Sequence, residues 1–190
     1  MSWPDLPPPD ARRRFLRLAG AFALAGLTAG CFQPLYGDGS IGGSTEVRGK
    51  LASVDVPEIS APNGTDLARI SVHMRNQLIY ALTGGGEATN PAYRLNISLV
   101  ATQQQIIVDI NSGRPEVLNY GINANYTMTD LATGRVVVSS ATSSRVSYNV
   151  PGQEQRFAGA RGLRDAENRA ADVIARNINA RLASYFVAGT

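Results

Sequence analysis

The sequence has little of the chemistry on which most active sites depend. Cys31 is the only cysteine, so an intramolecular disulfide and a cysteine metal site are both excluded. His73 is the only histidine, and we expect it to be structural or solvated rather than catalytic. Charged residues make up 17% and aromatic residues 7% of the chain. Because a disulfide and a cysteine metal site are excluded, any folded domain must be stabilised by its apolar core alone.

Catalytic motifs are also missing. The serines between Ser139 and Ser144 have no base in a recognisable motif, and a serine nucleophile needs one. No glycine-rich loop leads from a strand into a helix with the spacing that cradles phosphate, since Gly84–Gly86 follows a predicted helix instead. Carboxylates such as Asp109 and Glu116 are isolated on strand ends and turns. We expect no catalytic residue, no metal ligand, no cofactor and no enzyme activity.

The charge balance excludes general nucleic-acid binding. The formal net charge is +3, and the first 30 residues contribute +2 of it, with four arginines against two aspartates. The remaining residues carry only +1, too little for a basic nucleic-acid-binding surface.

No apolar run reaches the length of about 20 residues that a membrane-spanning helix needs. The apolar stretch Leu18–Ala29 is much shorter, contains two glycines and follows a cluster of arginines between Arg12 and Arg17. This arrangement is typical of an export signal, so residues 1–30 are predicted to be a signal peptide. The arginine cluster also resembles the twin-arginine motif, and the sequence leaves the general and the twin-arginine export routes open.

A single cysteine directly after the signal peptide is typical of a bacterial lipoprotein. Leu27–Gly30 precedes Cys31, although the leucine lies one place earlier than usual and Thr28 takes its position. We predict cleavage before Cys31, lipidation of its thiol with palmitate among the acyl chains, and anchoring of the protein to a membrane by these chains. Residues 31–49, rich in glycine and serine, are predicted to be a flexible tether to a single domain over residues 50–188.

The domain is predicted to begin with a strand, Leu51–Val56, and then a helix. Thr65 is a suitable N-cap and Gly84 a suitable end for this helix. Between them lies a stripe of apolar residues at helical spacing, which is Leu67, Ile70, Met74, Leu78 and Leu82.

The middle of the chain has the two-residue period of strands with one dry and one wet face. Apolar residues alternate over Tyr93–Ala101 and over Ile122–Met128. Ile106–Ile110 either continues the first of these strands or forms another after a bulge. A hairpin turn at Thr133–Arg135 then precedes a strand over Val136–Tyr148.

The C-terminal segment predicts a second long helix, and the order of elements predicts the fold. The apolar residues of this helix are Leu163, Ala166, Ala170, Ile174, Ile178, Leu182 and Tyr185, with exposed pairs expected between Asp165 and Arg169 and between Asp172 and Arg176. We predict an α+β two-layer sandwich: a mostly antiparallel sheet of about four strands with two amphipathic helices packed on one face.

The other face of this sheet is then polar and rich in asparagine, serine, threonine and arginine, with Asn119, Asn123 and Asn125 among its residues. It can be a binding surface or an ordinary solvated face. Arginines in predicted loops are candidate ligand-binding residues, because guanidinium groups bind phosphate well. These candidates are Arg114, Arg156 and Arg161.

Two segments resemble the alphaproteobacterial LPS-assembly lipoprotein family, LptE. Phe32–Gly37 directly after the cysteine resembles the start of the mature family members, without their extra glycine, and Arg164–Ala183 is similar to their last helix. The resemblance implies a non-enzymatic outer-membrane lipoprotein. It implies the LptD β-barrel as partner, with the chain as plug and assembly factor, and lipopolysaccharide as ligand.

The resemblance and Phe32 after the cysteine imply anchoring in the outer membrane, facing the periplasm or inside the barrel lumen. The alternative is an auxiliary lipoprotein of another envelope lipid-transport system of the ABC type, also a small α+β protein without a catalytic site. A hydrolase and a purely structural envelope tether are further alternatives.

Overall fold

The computed structural model describes residues 44–108, 110, 113, 115–150 and 156–188. Three helices and four strands follow one another in this part of the chain. The helices are α1 (Ser44–Ala52), α2 (Asp66–Thr83) and α3 (Arg156–Ala188), and the strands are β1 (Val54–Asp55), β2 (Tyr93–Val108), β3 (Pro115–Asp130) and β4 (Val136–Asn149).

The strands form one mixed sheet in the order β1-β2-β3-β4. The short strand β1 pairs parallel to the start of β2, whereas β2, β3 and β4 form an antiparallel meander. The turn between β3 and β4 is stabilised by Asp130, whose Oδ1 accepts hydrogen bonds from the backbone N–H groups of Ala132 (2.8 Å) and Thr133 (3.0 Å). The α+β class and the mostly antiparallel sheet are confirmed.

Helix α2 begins and ends where its capping residues predict. The Thr65 side chain accepts a hydrogen bond from the N–H of Ala68 at 3.3 Å, which satisfies one of the free donors of the first turn. Gly84 adopts φ 82°, in the left-handed region that favours glycine, and its N–H bonds to the carbonyl of Tyr80.

The core lies between the sheet and α3, with α2 packed against α3. The predicted apolar stripes of the two long helices contribute to it, because Met74, Leu78, Ile174 and Ile178 are all fully buried, whereas Leu67, Leu163 and Tyr185 are only partly buried. Alanines on α3 allow close approach to the sheet, since their side chains take little space. The buried alanines of this helix are Ala166, Ala170, Ala171, Ala175 and Ala183.

The prediction of a strand over Leu51–Val56 is wrong for most of its length. Leu51 belongs to α1, and only Val54–Asp55 is extended. Val47 and Leu51, one helical turn apart, are both buried, and Glu46 forms an ion pair with Lys50 at 2.7 Å. Residues 44–49, which the glycine content assigns to the tether, are thus helical, while residues 31–43 lie outside the described part.

The fold decides one alternative that the sequence left open, which is the course of the chain over Ile106–Ile110, and it tests the two ion pairs expected on α3. Strand β2 continues without a break to Val108, with irregular pairing to β3 between Gln105 and Val108. Asp165 forms the expected pair with Arg169 at 2.7 Å. Asp172 instead accepts a hydrogen bond from Nε2 of His73 at 2.9 Å, which gives the histidine a structural role between α2 and α3.

Among the described residues, no helix combines the length and the apolar character that crossing a membrane requires.

Candidate functional site

The face of the sheet turned away from the helices is a continuous polar surface. We call it the outward face. Because side chains alternate across each strand, it is made of every second residue of β2, β3 and β4. Its residues are Arg94, Asn96, Ser98, Val100, Thr102 and Gln104 from β2, Asn119, Gly121, Asn123, Asn125, Thr127 and Thr129 from β3, and Ser139, Ala141, Ser143, Arg145 and Ser147 from β4.

The outward face is almost free of charge. Arg94 and Arg145 are the only charged residues of the outward face, and Arg94 lies at its end, where its Nε donates to Oδ2 of Asp55 at 3.0 Å. Among the described residues, Arg145 has neither a hydrogen-bond nor an ion-pair partner. It is exposed and stands as the single uncompensated charge of this surface.

Asparagine, serine and threonine side chains give the face hydrogen-bonding capacity in both senses, since amides and hydroxyls donate and accept. One such bond joins two residues of the face itself, since the Ser147 hydroxyl donates to Oδ1 of Asn119 at 2.6 Å. Nearer the other end, an open depression of about 520 Å³ is lined by Asn96, Asn125 and Ser139 together with their neighbours. The surface can bind polar groups of a partner without requiring a counter-charge from it.

The absence of a side chain at Gly121 lets a side chain from each neighbouring strand approach the middle strand closely. A Cβ atom at Gly121 would lie 2.6 Å from Oγ1 of Thr102 and 3.6 Å from Cγ of Arg145. Thr102 and Arg145 therefore lean over Gly121 from the two neighbouring strands. The sequence analysis did not identify this group, although a glycine inside an alternating strand is a known signal of close approach.

A second exposed surface is apolar and lies at the far end of β2. Ile106, Ile107 and Val108 are 49%, 48% and 43% exposed, and Ile110 is 98% exposed. Helix α3 reaches this end of the sheet at β4, near Tyr148 and Asn149, but the end of β2 is exposed on both of its faces. From Tyr93 to Val108 the strand extends about 50 Å, at about 3.3 Å per residue.

Titratable groups in the interior serve the packing of α2 on α3. The Glu167 carboxylate is buried and accepts a hydrogen bond from NH2 of Arg69, while Arg69 NH1 donates to Oδ1 of Asn168 at 2.9 Å. Burial raises the pKa of Glu167, and the Arg69 charge opposes this. Burial, helped by the negative charge of Glu167, raises the pKa of Tyr120 to about 12, so this phenol is neutral at physiological pH.

Of the predicted site residues, the structure describes the side chain of Arg161 alone. Cys31 and Arg114 lie outside the described residues. Arg156 is the first residue of α3, and its side chain also lies outside the described part. Arg161 is exposed on α3, away from the outward face, and makes no hydrogen bond or ion pair with the described residues. Their role as ligand contacts stays a prediction.

Comparison with solved structures identifies the same fold in bacterial lipoproteins. A lipoprotein of Caulobacter crescentus CB15 is 20% identical, with a TM-score of 0.57 over 74% of this chain and 96% of that one. Lipoprotein B of Nitrosomonas europaea is 15% identical, with a TM-score of 0.52 over 80% and 94% of the two chains. Rare lipoprotein B of Shewanella oneidensis is 13% identical, with a TM-score of 0.51 over 70% and 96%. No protein-family model and no curated protein matches the sequence.

The chain therefore has a fold that occurs in Gram-negative envelope lipoproteins. This agrees with the lipoprotein signal predicted around Cys31, and anchoring to a membrane of the envelope stays a prediction.

Proposed function

We propose that this protein is a non-enzymatic lipoprotein of the outer membrane, anchored by acyl chains on Cys31. Its partner is the LptD β-barrel, in which it acts as plug and assembly factor during lipopolysaccharide transport to the outer leaflet. Phe32–Gly37 and the last helix, which resemble the LptE family, suggest this partner. The fold shared with rare lipoprotein B supports the same assignment.

The observation that carries the proposal is the charge-poor outward face. Protein surfaces in free solvent usually carry about 25–35% charged residues, whereas the centres of interfaces are depleted of charge. The lumen of an outer-membrane barrel is polar, so a neutral surface of amides and hydroxyls matches it without burying uncompensated charges. The strands of about 50 Å are also long enough for a lumen that crosses a membrane about 40–45 Å thick.

Lipopolysaccharide is the proposed ligand of the complex. Its phosphate groups suit guanidinium side chains, which form paired hydrogen bonds with phosphate oxygens. Arg114, Arg156 and Arg161 are the candidate contacts.

A carboxylate placed on the outward face tests the plug role. We expect Asn125→Glu to lower the amount of barrel that co-purifies with the protein at least about tenfold, because an unpaired charge would be buried in the complex. Gln77→Glu is the matched control, since Gln77 is exposed on α2 and far from this face in the fold. The measurement is quantitative co-purification from outer membranes, with the thermal unfolding of each variant checked separately.

The same experiment separates the proposal from its alternatives. Equal recovery of the barrel by Asn125→Glu and Gln77→Glu would contradict a role for the outward face. Recovery of an inner-membrane ABC transporter instead of a barrel would replace the proposal by the auxiliary-lipoprotein function. Depletion of the protein should reduce lipopolysaccharide at the cell surface, which a purely structural tether would not do.

Removal of the lipidated thiol tests the anchor. We expect Cys31→Ser to abolish incorporation of labelled palmitate and to release the protein from the membrane fraction. The domain should keep its unfolding temperature, because the buried apolar residues of the described part lie between Val47 and Phe186 and residue 31 belongs to the predicted tether. Continued membrane association of an unlabelled variant would show that another segment holds the protein there.

A further inference from the structure

Strand β4 is the last strand of the sheet, and the register shows which of its backbone groups are free. Val117 pairs with Asn149 and Leu118 with Tyr148, so Val150 stands opposite Glu116. The N–H of Val150 donates to the carbonyl of Glu116 at 2.8 Å. Because hydrogen-bonded and non-hydrogen-bonded pairs alternate in an antiparallel ladder, the even-numbered residues from 138 to 150 direct their N–H and C=O groups to β3.

The odd-numbered residues of β4 consequently direct their backbone groups to the open edge. Within the described residues, no hydrogen bond from outside the sheet reaches this edge. The same residues carry the side chains that β4 contributes to the outward face. A partner covering that face thus meets the free backbone groups of Ser139, Ala141, Ser143, Arg145 and Ser147.

Natural proteins protect exposed strand edges with lysine, proline, bulges or a very short edge strand. The opposite edge of this sheet has two such features, since β1 pairs with Tyr93 and Arg94 and the pairing of β2 is irregular from Gln105 to Val108. Between Val138 and Asn149, β4 has one charged side chain, Arg145, and no lysine, proline or glycine, and it pairs regularly with β3. Helix α3 holds the strand from its inner side, where Nδ2 of Asn177 donates to Oγ1 of Thr142 at 3.1 Å.

We propose that the edge of β4 binds an extended segment of the partner protein as an additional strand. The inference rests on the proposed function, in which the partner is an outer-membrane barrel. A closed barrel wall has no free edge, so the segment must come from a loop or a terminal region of that partner. Main-chain hydrogen bonds supply the binding, as in other cases of strand addition.

The segment is uncharged except for a carboxylate that pairs with Arg145. The need for a carboxylate opposite Arg145 favours a different protein over a second copy of this chain as the partner. Strand β4 contains no aspartate or glutamate, so pairing of two β4 edges would leave both Arg145 side chains without a counter-charge. Opposite charges on neighbouring strands stabilise their pairing.

Proline at one odd-numbered position removes a single edge donor without breaking the ladder to β3. We expect Ser143→Pro to reduce co-purification of the barrel at least about tenfold, because it removes one N–H and disturbs its neighbours in the added ladder. Ser143→Ala, which removes only the hydroxyl that Ser143 contributes to the outward face, is the matched reference, and the effect of the missing N–H is the recovery of barrel by Ser143→Pro relative to Ser143→Ala. Proline at the edge of a sheet is tolerated, so the unfolding temperature of Ser143→Pro should remain close to that of Ser143→Ala.

Residue-resolved hydrogen exchange on the unmodified complex tests the same proposal without any variant. In the isolated protein, the amides of Thr142 and Ser144 should exchange slowly and those of Ala141, Ser143 and Arg145 quickly. Binding of the barrel should slow the odd-numbered amides at least about tenfold, because hydrogen bonds then protect them. Unchanged exchange at these three amides in the complex would overturn the proposal.

The outcomes distinguish this inference from the proposed function. If the wild-type protein recovers no barrel, the proposed function fails, and strand addition to that partner fails with it. If the wild-type protein recovers the barrel and Ser143→Pro recovers it equally, only strand addition fails. Concentration-dependent dimers that Ser143→Pro abolishes would overturn the proposal in favour of pairing between two copies.

Discussion

Substitution of Ile174 by aspartate is expected to unfold the domain. Ile174 lies in the centre of α3 and is fully buried. The new carboxylate would stand in the apolar core without a partner, at a cost of about 3–5 kcal/mol. Folded domains are stable by only about 5–15 kcal/mol, so this loss removes much or all of the folding free energy.

Urea denaturation followed by circular dichroism measures the effect. Ser184→Asp is the matched control, because Ser184 is exposed on the same helix, and it should change stability by less than about 0.5 kcal/mol. An Ile174→Asp protein that kept the midpoint of the wild type would contradict the assignment of this side of α3 to the core.

Loss of the Arg69 guanidinium is expected to have the second-largest effect. We expect Arg69→Met to destabilise the domain by about 3 kcal/mol at pH 7, because the buried Glu167 carboxylate would lose its counter-charge. The double variant Arg69→Met/Glu167→Met should regain most of this loss, since apolar residues can replace a buried ion pair with little change in stability. Chemical denaturation of the single and double variants measures both changes.

The pH dependence of Arg69→Met follows from the pKa of Glu167. Burial raises this pKa and Arg69 lowers it, so removal of Arg69 raises the pKa further. A carboxyl group with a raised pKa in the folded state binds its proton more tightly there than in the unfolded chain. Stability of the variant relative to the wild type should therefore increase as the pH is lowered from about 8 to about 5. A deficit independent of pH would show that lost packing, rather than the unpaired carboxylate, is responsible.

The main elements of the fold were predictable because their signals are local. Thr65 begins α2 because its side chain accepts a hydrogen bond from the first turn. Gly84 ends α2 because glycine readily adopts a positive φ. The alternation over Tyr93–Ala101 and Ile122–Met128 indicates strands with one buried face. The first segment lies in β2 and the second in β3. Helix α1 was missed because the glycines before it suggested a tether. Val47 and Leu51, which are both buried, and the Glu46–Lys50 ion pair have the four-residue spacing of a helix, and the tether interpretation did not use that signal.

The candidate site was only partly predictable. The asparagines of β3 were recognised as part of a polar face, yet the close approach of Thr102 and Arg145 to Gly121 was not, because it depends on the register of three strands. The pairing of Asp172 was predicted with Arg176 on its own helix. Asp172 forms a hydrogen bond with His73 of α2 instead, because the packing of α2 on α3 brings the two side chains within hydrogen-bonding distance.

The sequence by itself determined that this protein has no intramolecular disulfide and that two amphipathic helices and alternating strands share one core, and it predicts an export signal that ends at a cysteine. These properties depend on residue type and short-range spacing. Only the tertiary structure decided that β4 is an open edge and that its odd-numbered residues present both their side chains and their free backbone groups. Strand order and register set these properties, and both result from contacts between residues far apart in the chain.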